Sequence, residues 1–424
     1  MKAQTLSDAI RVFDPREPLR GDELAEFYVD RPGDPLNEIK IYLQGIGLQG
    51  EPVRLLFTGH TGSGKSTELN RLAQELKRQF FIVPVPIQQS VPISELTYVD
   101  LLLSMSAALF QRATEQDVIA KAPAQVMGDV WVDIIHFFDN AIFGGLQFRA
   151  PPPDAELSIK VNVLAAEFQS KFSAEGSTRT AVRERVEARL AELLDKLTLL
   201  SDQIRFKYGR PVLFIVEGTD KPDLSRARDI FLGHGATLTA FRASVIYTFP
   251  IGLRYSPDFT LIKTPFNEHF LLPNLKTFCQ DGTPDDDGLR KLNEVISRRM
   301  ADALIQPAAR GTLVECSGGL LRTLVQLVQR AAVHTVGHGR TVIDEESAAV
   351  AVDRERADFI ALLSEDDYKV LAARHADKRL SSDEAVQRLL QSRALLEYAN
   401  GQPWCDAHPI VLPVVEERTK GQAG

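Results

Sequence analysis

Eight consecutive residues, Gly59-His60-Thr61-Gly62-Ser63-Gly64-Lys65-Ser66, set glycines, a lysine and a hydroxyl in the order that lets a backbone wrap an anion. Glycine tolerates the conformations such a wrap needs, so the amides from Gly59 to Gly64 can turn toward phosphate oxygens. The spacing is the G-x-x-x-x-G-K-[ST] pattern of a P-loop, and its context fits. The apolar run Val53–Phe57 precedes it as a strand, and Leu69, Leu72 and Leu76 mark the buried face of a helix that follows. That helix points its positive end at the same anion. Lys65 is expected at the β- and γ-phosphates, Ser66 at Mg²⁺, and Thr67 near the α-phosphate.

The rest of the chain reads as alternating strands and helices. Candidate strands are Phe80–Ile87, Pro211–Val216, Ser244–Thr248 and Glu268–Leu272, and the separating helices imply a parallel sheet in an α/β fold. Pro84 and Pro86 place the first of these toward a sheet edge. An amphipathic helix is expected from Leu36, and another from about Leu96 to Arg112. The stretch of about 114–208 is too long for one crossover and reads as a helical insertion containing Pro151-Pro152-Pro153. Inside it, Val186, Leu190, Leu193, Leu197, Leu200 and Ile204 form a seam in a single helix from about Thr178 to Lys207. So short a seam favours packing on the protein's own body over a free coiled coil.

Residues 1–30 read as an irregular arm that packs on a neighbour. The remaining expected boundaries are 31–280 for the core, 281–342 for a helical lid and 343–424 for a final block. The lid helices run Leu289–Leu304 and Leu320–Val336; the final block has helices near Asp366–Ala373 and Ser382–Gln391. A hairpin follows, Leu395–Tyr398 against Pro403–Asp406, with Asn400-Gly401 in its turn.

A net charge of −8 over 424 residues argues against whole-surface attraction to nucleic acid or anionic lipid. Cys279, Cys316 and Cys405 are scattered and lack metal spacing, which suits inert thiols in a reducing cytoplasm. No apolar stretch is long enough to span a bilayer, and the residues after Met1 lack a signal-peptide core.

A phosphate cradle with Mg²⁺ needs an acid on a neighbouring strand. The best candidate is the end of Val212–Val216, where Glu217-Gly218-Thr219-Asp220 follows. Glu217 would hold Mg²⁺ directly or through water, and Asp220 could orient an attacking water. Thr248, at the next strand's tip, is either a γ-phosphate sensor or a satisfied strand-end hydroxyl.

The order of P-loop, acidic strand end, polar strand tip, helical segment and terminal block resembles the AAA+ and STAND-type P-loop ATPases, including their origin-recognition-like branch. The resemblance covers roughly residues 26 to 415. It implies a P-loop NTPase sheet with helical insertion, a helical lid and a C-terminal winged-helix domain, with ATP and Mg²⁺ as cofactors. Tyr28-Val29-Asp30-Arg31 is similar to the family's adenine-clasping entry motif, which implicates Arg31. Ser317-Gly318-Gly319-Leu320-Leu321-Arg322 is similar to its lid segment, with Arg322 reaching the γ-phosphate. Ala407-His408-Pro409 is similar to the His-Pro that STAND winged helices present to nucleotide, which implicates His408. Arg254, Arg298 and Arg299 are candidate arginine fingers. The family usually has a second acid after the first; Gly218 stands there instead, so slow hydrolysis is expected.

Resemblance therefore implies an ATP-dependent switch that controls self-assembly or a protein partner in a bacterial regulatory or anti-phage defence system. The alternative is a DNA-associated ATPase whose winged helix binds duplex. Arg388 and Arg393 against Asp383 and Glu384 make a poor phosphate-binding face for that role. A small-molecule phosphotransferase fits the long C-terminal extension least.

Overall fold

The structure, a computed structural model, describes residues 1–31, 33–115, 137, 176–399 and 401–420. Five strands form one parallel sheet: β1 (Arg54–Thr58), β2 (Phe81–Pro86), β3 (Val212–Glu217), β4 (Ser244–Phe249) and β5 (Glu268–Leu271), in the order β2-β3-β4-β1-β5. β1 is therefore flanked on both sides, and the loop leaving its C-terminal end lies beside the ends of β3 and β4. In an open parallel sheet this is where a ligand crevice forms. Strand β2, with its two prolines, lies at the edge, as the sequence predicts.

Helices α1 (Leu6–Val12), α2 (Asp22–Phe27), α3 (Leu36–Gly45), α4 (Lys65–Leu76) and α5 (Tyr98–Glu115) come from the first quarter of the chain. Beyond the undescribed stretch lie α6 (Gly176–Glu187) and α7 (Leu190–Tyr208). One sheet face is covered by α3 and α4 through Leu36, Ile39, Leu43, Leu69, Leu72 and Leu76. The other is covered by α5, α6 and α7, whose Leu101, Leu102, Val186, Leu193, Leu197, Leu200 and Ile204 share a core with β2, β3 and β4. The insertion's seam thus packs on the protein's own body. It is two helices rather than one, because the chain breaks at Ala188-Arg189, where Arg189 leaves helical geometry at φ −128°, ψ 26°. The proline cluster 151–153 lies outside the described residues.

The second half is helical: α8 (Asp286–Arg299), α9 (Pro307–Cys316), α10 (Leu321–Gly337), α11 (Glu345–Ile360), α12 (Glu365–Asp377), α13 (Glu384–Ser392) and α14 (Leu412–Lys420). The expected hairpin, β6 (Leu395–Ala399) against β7 (Pro403–Ala407), is antiparallel, with Ala399 opposite Pro403; Asn400 of its expected turn lies outside the described residues. The expected helix to Leu304 stops earlier, at Arg299, and a separate turn covers Asp302–Leu304. Residues of 281–342 and 343–424 contribute to one apolar core, including Leu313, Leu324, Val328, Ala351, Phe359 and Leu389.

The arm is more ordered than its composition suggests. Helix α1 buries Leu6, Ala9 and Phe13 in that same core, so the neighbour it packs on is the chain's own α10. Ala3 bridges Met300, and its amide donates to the Arg299 carbonyl at 2.8 Å.

Candidate nucleotide site

The loop between β1 and α4 closes around its own lysine. Lys65 Nζ donates to the carbonyls of Gly59 at 2.7 Å and His60 at 3.0 Å, and lies 2.8 Å from Asp220 Oδ2. Burial alone would push the Asp220 carboxyl up; the ammonium beside it instead brings it below the ordinary carboxylate range. Asp220, expected as a water-orienting base, is here the counter-ion of Lys65. Gly64 caps α4 in a left-handed conformation, leaving the helix's first amides without a side-chain cap.

Ser66 and Glu217 line the same cavity beside the P-loop, with the Ser66 hydroxyl near enough to the Glu217 carboxyl to act on it. Burial raises the Glu217 carboxyl, and the Ser66 hydroxyl opposes it. This donor pair suits Mg²⁺, which takes few protein oxygens and fills its shell from phosphate and water. Among the described residues no group of three or more His, Cys, Asp or Glu could hold a metal alone.

The strand-end turn after Glu217 explains the missing second acid. Gly218 has φ +96°, a left-handed value that side-chain residues rarely adopt, and a Cβ there would lie 3.2 Å from the Gln88 side chain. Thr248 fixes this turn: its Oγ1 accepts from the amides of Gly218 at 3.0 Å and Thr219 at 3.1 Å. Of the two sequence readings of Thr248, the hydroxyl is engaged as the strand-end one describes. Gln88 was missed in the sequence, because only the fold brings the residue after β2 beside β3.

A cavity of about 910 Å³ opens over the loop, lined by Thr61, Gly62, Gly64, Lys65, Ser66, Thr67, Glu217, Asp220, Thr248, Arg322 and others. That is the size range of ligand pockets. Its apolar lining includes Phe27 and Val29 of the arm, Leu275 of the core, and Val295, Leu321 and Val325 of the lid. The lid touches the loop directly: the Arg322 amide donates to the Gly62 carbonyl at 3.0 Å, and a Cβ on Gly62 would lie 2.8 Å from Arg322 Cβ. Arm residues Asp14 to Arg20 also line the cavity, which nothing in their composition announces.

Several expected residues are engaged by partners within the chain, and His408 lies away from the cavity. Arg31 lines the cavity, but its guanidinium is spent on the P-loop's underside, donating to the Ser63 carbonyl at 2.6 Å and to the Pro273 carbonyl. These bonds brace the loop from Arg31. Thr67 Oγ1 accepts from the Leu19 amide at 3.3 Å. His408 is fully buried, with Nδ1 accepting from the Ile410 amide at 3.2 Å and its ring 4.9 Å from Phe359. It faces the lid turn at Gly318 and is not among the cavity's lining residues. Ser63 and His60, within the loop, are both buried and are not among the cavity's lining residues.

The three candidate fingers are all engaged within the chain. Arg254 Nη1 lies 2.6 Å from Glu397 Oε1, whose side chain is 1% exposed. Arg298 pairs with Glu294 at 2.7 Å. Arg299 lies over the Phe27 ring and donates to the Val295 carbonyl at 3.2 Å.

The terminal block meets the site through backbone contacts. His60 Nε2 accepts from the Glu397 amide at 2.8 Å, so a P-loop side chain is bonded to β6. Burial and the nearby Lys65 charge bring the His60 imidazole down to about 3, so the ring is neutral and able to accept. Gln391 Nε2 donates to the Asp220 carbonyl at 2.8 Å, and Asn274 Nδ2 to the Glu397 carbonyl at 3.2 Å.

No family model matches the chain, and no curated protein matches it. Solved structures similar to it include the Walker-type ATPase of Pyrococcus abyssi, at 13% identity and TM-score 0.47 over 96% of this chain and 99% of that one. Cdc6p from Pyrobaculum aerophilum is 13% identical with TM-score 0.44, covering 97% of this chain and 98% of that one. The Aeropyrum pernix ORC1 protein, solved in complex with DNA, is 13% identical with TM-score 0.42, covering 96% of each. At this identity and TM-score the likeness assigns no activity. Among the described residues no helix is long and apolar enough to cross a membrane.

Proposed function

We propose that this chain is an ATP-binding molecular switch with slow hydrolysis, in which the nucleotide site and the C-terminal block are read against each other. The observation that carries the reading is the bond from the Glu397 amide to His60 Nε2. A loop that must reshape around phosphate is thereby tied to a hairpin 337 residues away in sequence. Lys65 and the loop amides would bind the anion of ATP, and Ser66 and Glu217 would hold the accompanying Mg²⁺, which would supply charge neutralisation at the phosphates. We read Arg322 as the lid residue that senses the γ-phosphate, and Glu345 to Lys420 as a winged-helix block moved by that event. Turnover on the order of 1 s⁻¹ or below is expected, because Gly218 occupies the position of the usual acid.

The downstream event is self-assembly or engagement of a protein partner, in a cytoplasmic regulatory or defence setting that only the motif resemblance suggests. The DNA-binding alternative is weakened by Arg388, which is spent on Asp367 through bonds of 2.6 and 3.0 Å, and by the docking of α13 on the Ile251–Arg254 turn. The test compares ADP with a non-hydrolysable ATP analogue by light scattering and by hydrogen exchange over residues 395–407. Faster exchange of the hairpin, or a change in mass, with the ATP analogue alone is the expected result. Identical behaviour in both nucleotides rejects the switch.

A further inference from the structure

The arm lines the cavity and is fixed at both of its ends. One end is fixed to the lid: Gln329 Nε2 donates to the Ile10 carbonyl at 2.8 Å, and Ala3 is bonded to the segment after α8. The other end is fixed to α4, where Tyr28 Oη lies 3.2 Å from Glu68. Between them Leu19 is held by both its backbone groups. Its amide donates to Thr67 Oγ1 at 3.3 Å and its carbonyl accepts from Asn70 Nδ2 at 3.0 Å.

This clamp places the next residue beside the first turn of α4. Arg20 lines the cavity together with Lys65, Ser66 and Glu217. The other arm arginines there are already committed, Arg11 to Asp8 and Arg16 to Asp14. No carboxylate pairs with the Arg20 guanidinium among the described residues. Of the three arginines offered by the sequence, Arg254 and Arg298 are paired with Glu397 and Glu294, and Arg299, although it lines the same cavity, lies over Phe27 and donates to the Val295 carbonyl.

We propose that Arg20 is a catalytic residue acting within its own chain: the arm delivers its guanidinium to the oxygens of the bound triphosphate. The inference rests on the ATPase reading above. In that reaction the water oxygen bonds to the γ-phosphorus, the bond to the β–γ bridging oxygen breaks, and ADP leaves with the electron pair. The water's proton passes to the Asp220 carboxylate that nucleotide binding frees from Lys65, and from there to phosphate or solvent. A guanidinium at the γ-phosphate or bridging oxygens offsets charge that grows only as the bond breaks. A cation tied to the arm also makes hydrolysis depend on the arm staying docked on the lid.

The test uses the full chain with Arg20→Ala and Arg20→Lys, measuring affinity for Mg·ADP and Mg·ADP–aluminium fluoride by calorimetry, and phosphate release. Arg20→Ala is expected to leave ADP affinity within about twofold, weaken the aluminium fluoride complex about tenfold or more, and lower turnover about 100-fold. Arg20→Lys should recover part of both losses. Turnover per chain should be independent of concentration, and a mixture of Arg20→Ala with Lys65→Ala chains should stay inactive. An unchanged ratio of the two affinities overturns the proposal, as does tighter Mg·ADP binding, which would make Arg20 a tenant of the metal position. Activity restored in the mixture overturns the single-chain arrangement. If the wild type binds neither nucleotide, the ATPase reading itself fails, a result distinct from these.

Discussion

Lys65 and Asp220 form an ion pair with Nζ 2.8 Å from Oδ2, and both side chains are 6% exposed. The cation that a triphosphate needs is therefore already neutralised by the chain. Phosphate must compete with Asp220 for it, and binding releases a buried carboxylate beside Glu217. Asp220→Asn is expected to tighten ATP about tenfold, or about 1.4 kcal/mol, because the competing charge is gone. It should also lower turnover, since the released carboxylate is the remaining acid near the γ-phosphate. Calorimetry and phosphate release check the two halves separately.

Lys65→Ala should remove measurable ATP binding and also destabilise the fold, because it strands a buried carboxylate. Breaking a buried pair from one side costs about 3–5 kcal/mol. Adding Asp220→Asn to the same chain should restore most of the melting temperature but none of the affinity. A double variant that regains nucleotide binding would contradict the assignment of Lys65.

Arg322→Ala is expected to leave ADP affinity within about twofold and to weaken ATP about tenfold. Only its side chain is lost; the backbone bond to Gly62 remains. Gly62→Ala should harm both nucleotides alike, since a Cβ there collides with the lid at a residue with φ +91°. Equal losses for Arg322→Ala on ADP and ATP would place its guanidinium away from the γ-phosphate.

These contrasts follow from what the sequence could and could not disclose. The P-loop and the flanking strands were legible because they are local: period, glycine spacing and strand-to-helix order sit within a few residues. Gln88, Arg20 and the hairpin contact at His60 were not, because each is brought to the site by a contact between distant segments. Motif similarity could not show the partners of Arg31 and His408 for the same reason: a short pattern gives the residue type, whereas Ser63 and Pro273 engage the Arg31 guanidinium and His408 lies against Phe359, outside the cavity lining. Composition made the arm look irregular, yet Leu6, Ala9 and Phe13 at helical spacing are buried on one face against the lid.

Glu68 gives a pH signature. Burial, with the neighbouring Asp34 charge, raises its carboxyl from the ordinary 4.5 to about 7. Below the lower value both folded and unfolded chains hold the proton, so this contribution is fully present. Between the two values the folded chain binds more protons, and stability falls as pH rises, by up to about 3 kcal/mol in all. Glu68→Gln should flatten the melting temperature between pH 5 and 7. A slope equal to that of the wild type would show that Glu68 titrates normally.

Strand β2 has one further consequence, for how copies of this chain can meet. Its neighbour on one side is β3, while Pro84 and Pro86 lie exposed along it. A proline carries no amide hydrogen, so that flank cannot present a continuous row of donors to a foreign strand. β5 at the opposite edge spans only four residues. Continuous β-sheets running from one subunit into the next are thereby disfavoured, and an assembled form would have to be stacked through helices and loops. Infrared spectra of an ATP-loaded assembly should accordingly show no added intermolecular strand signal.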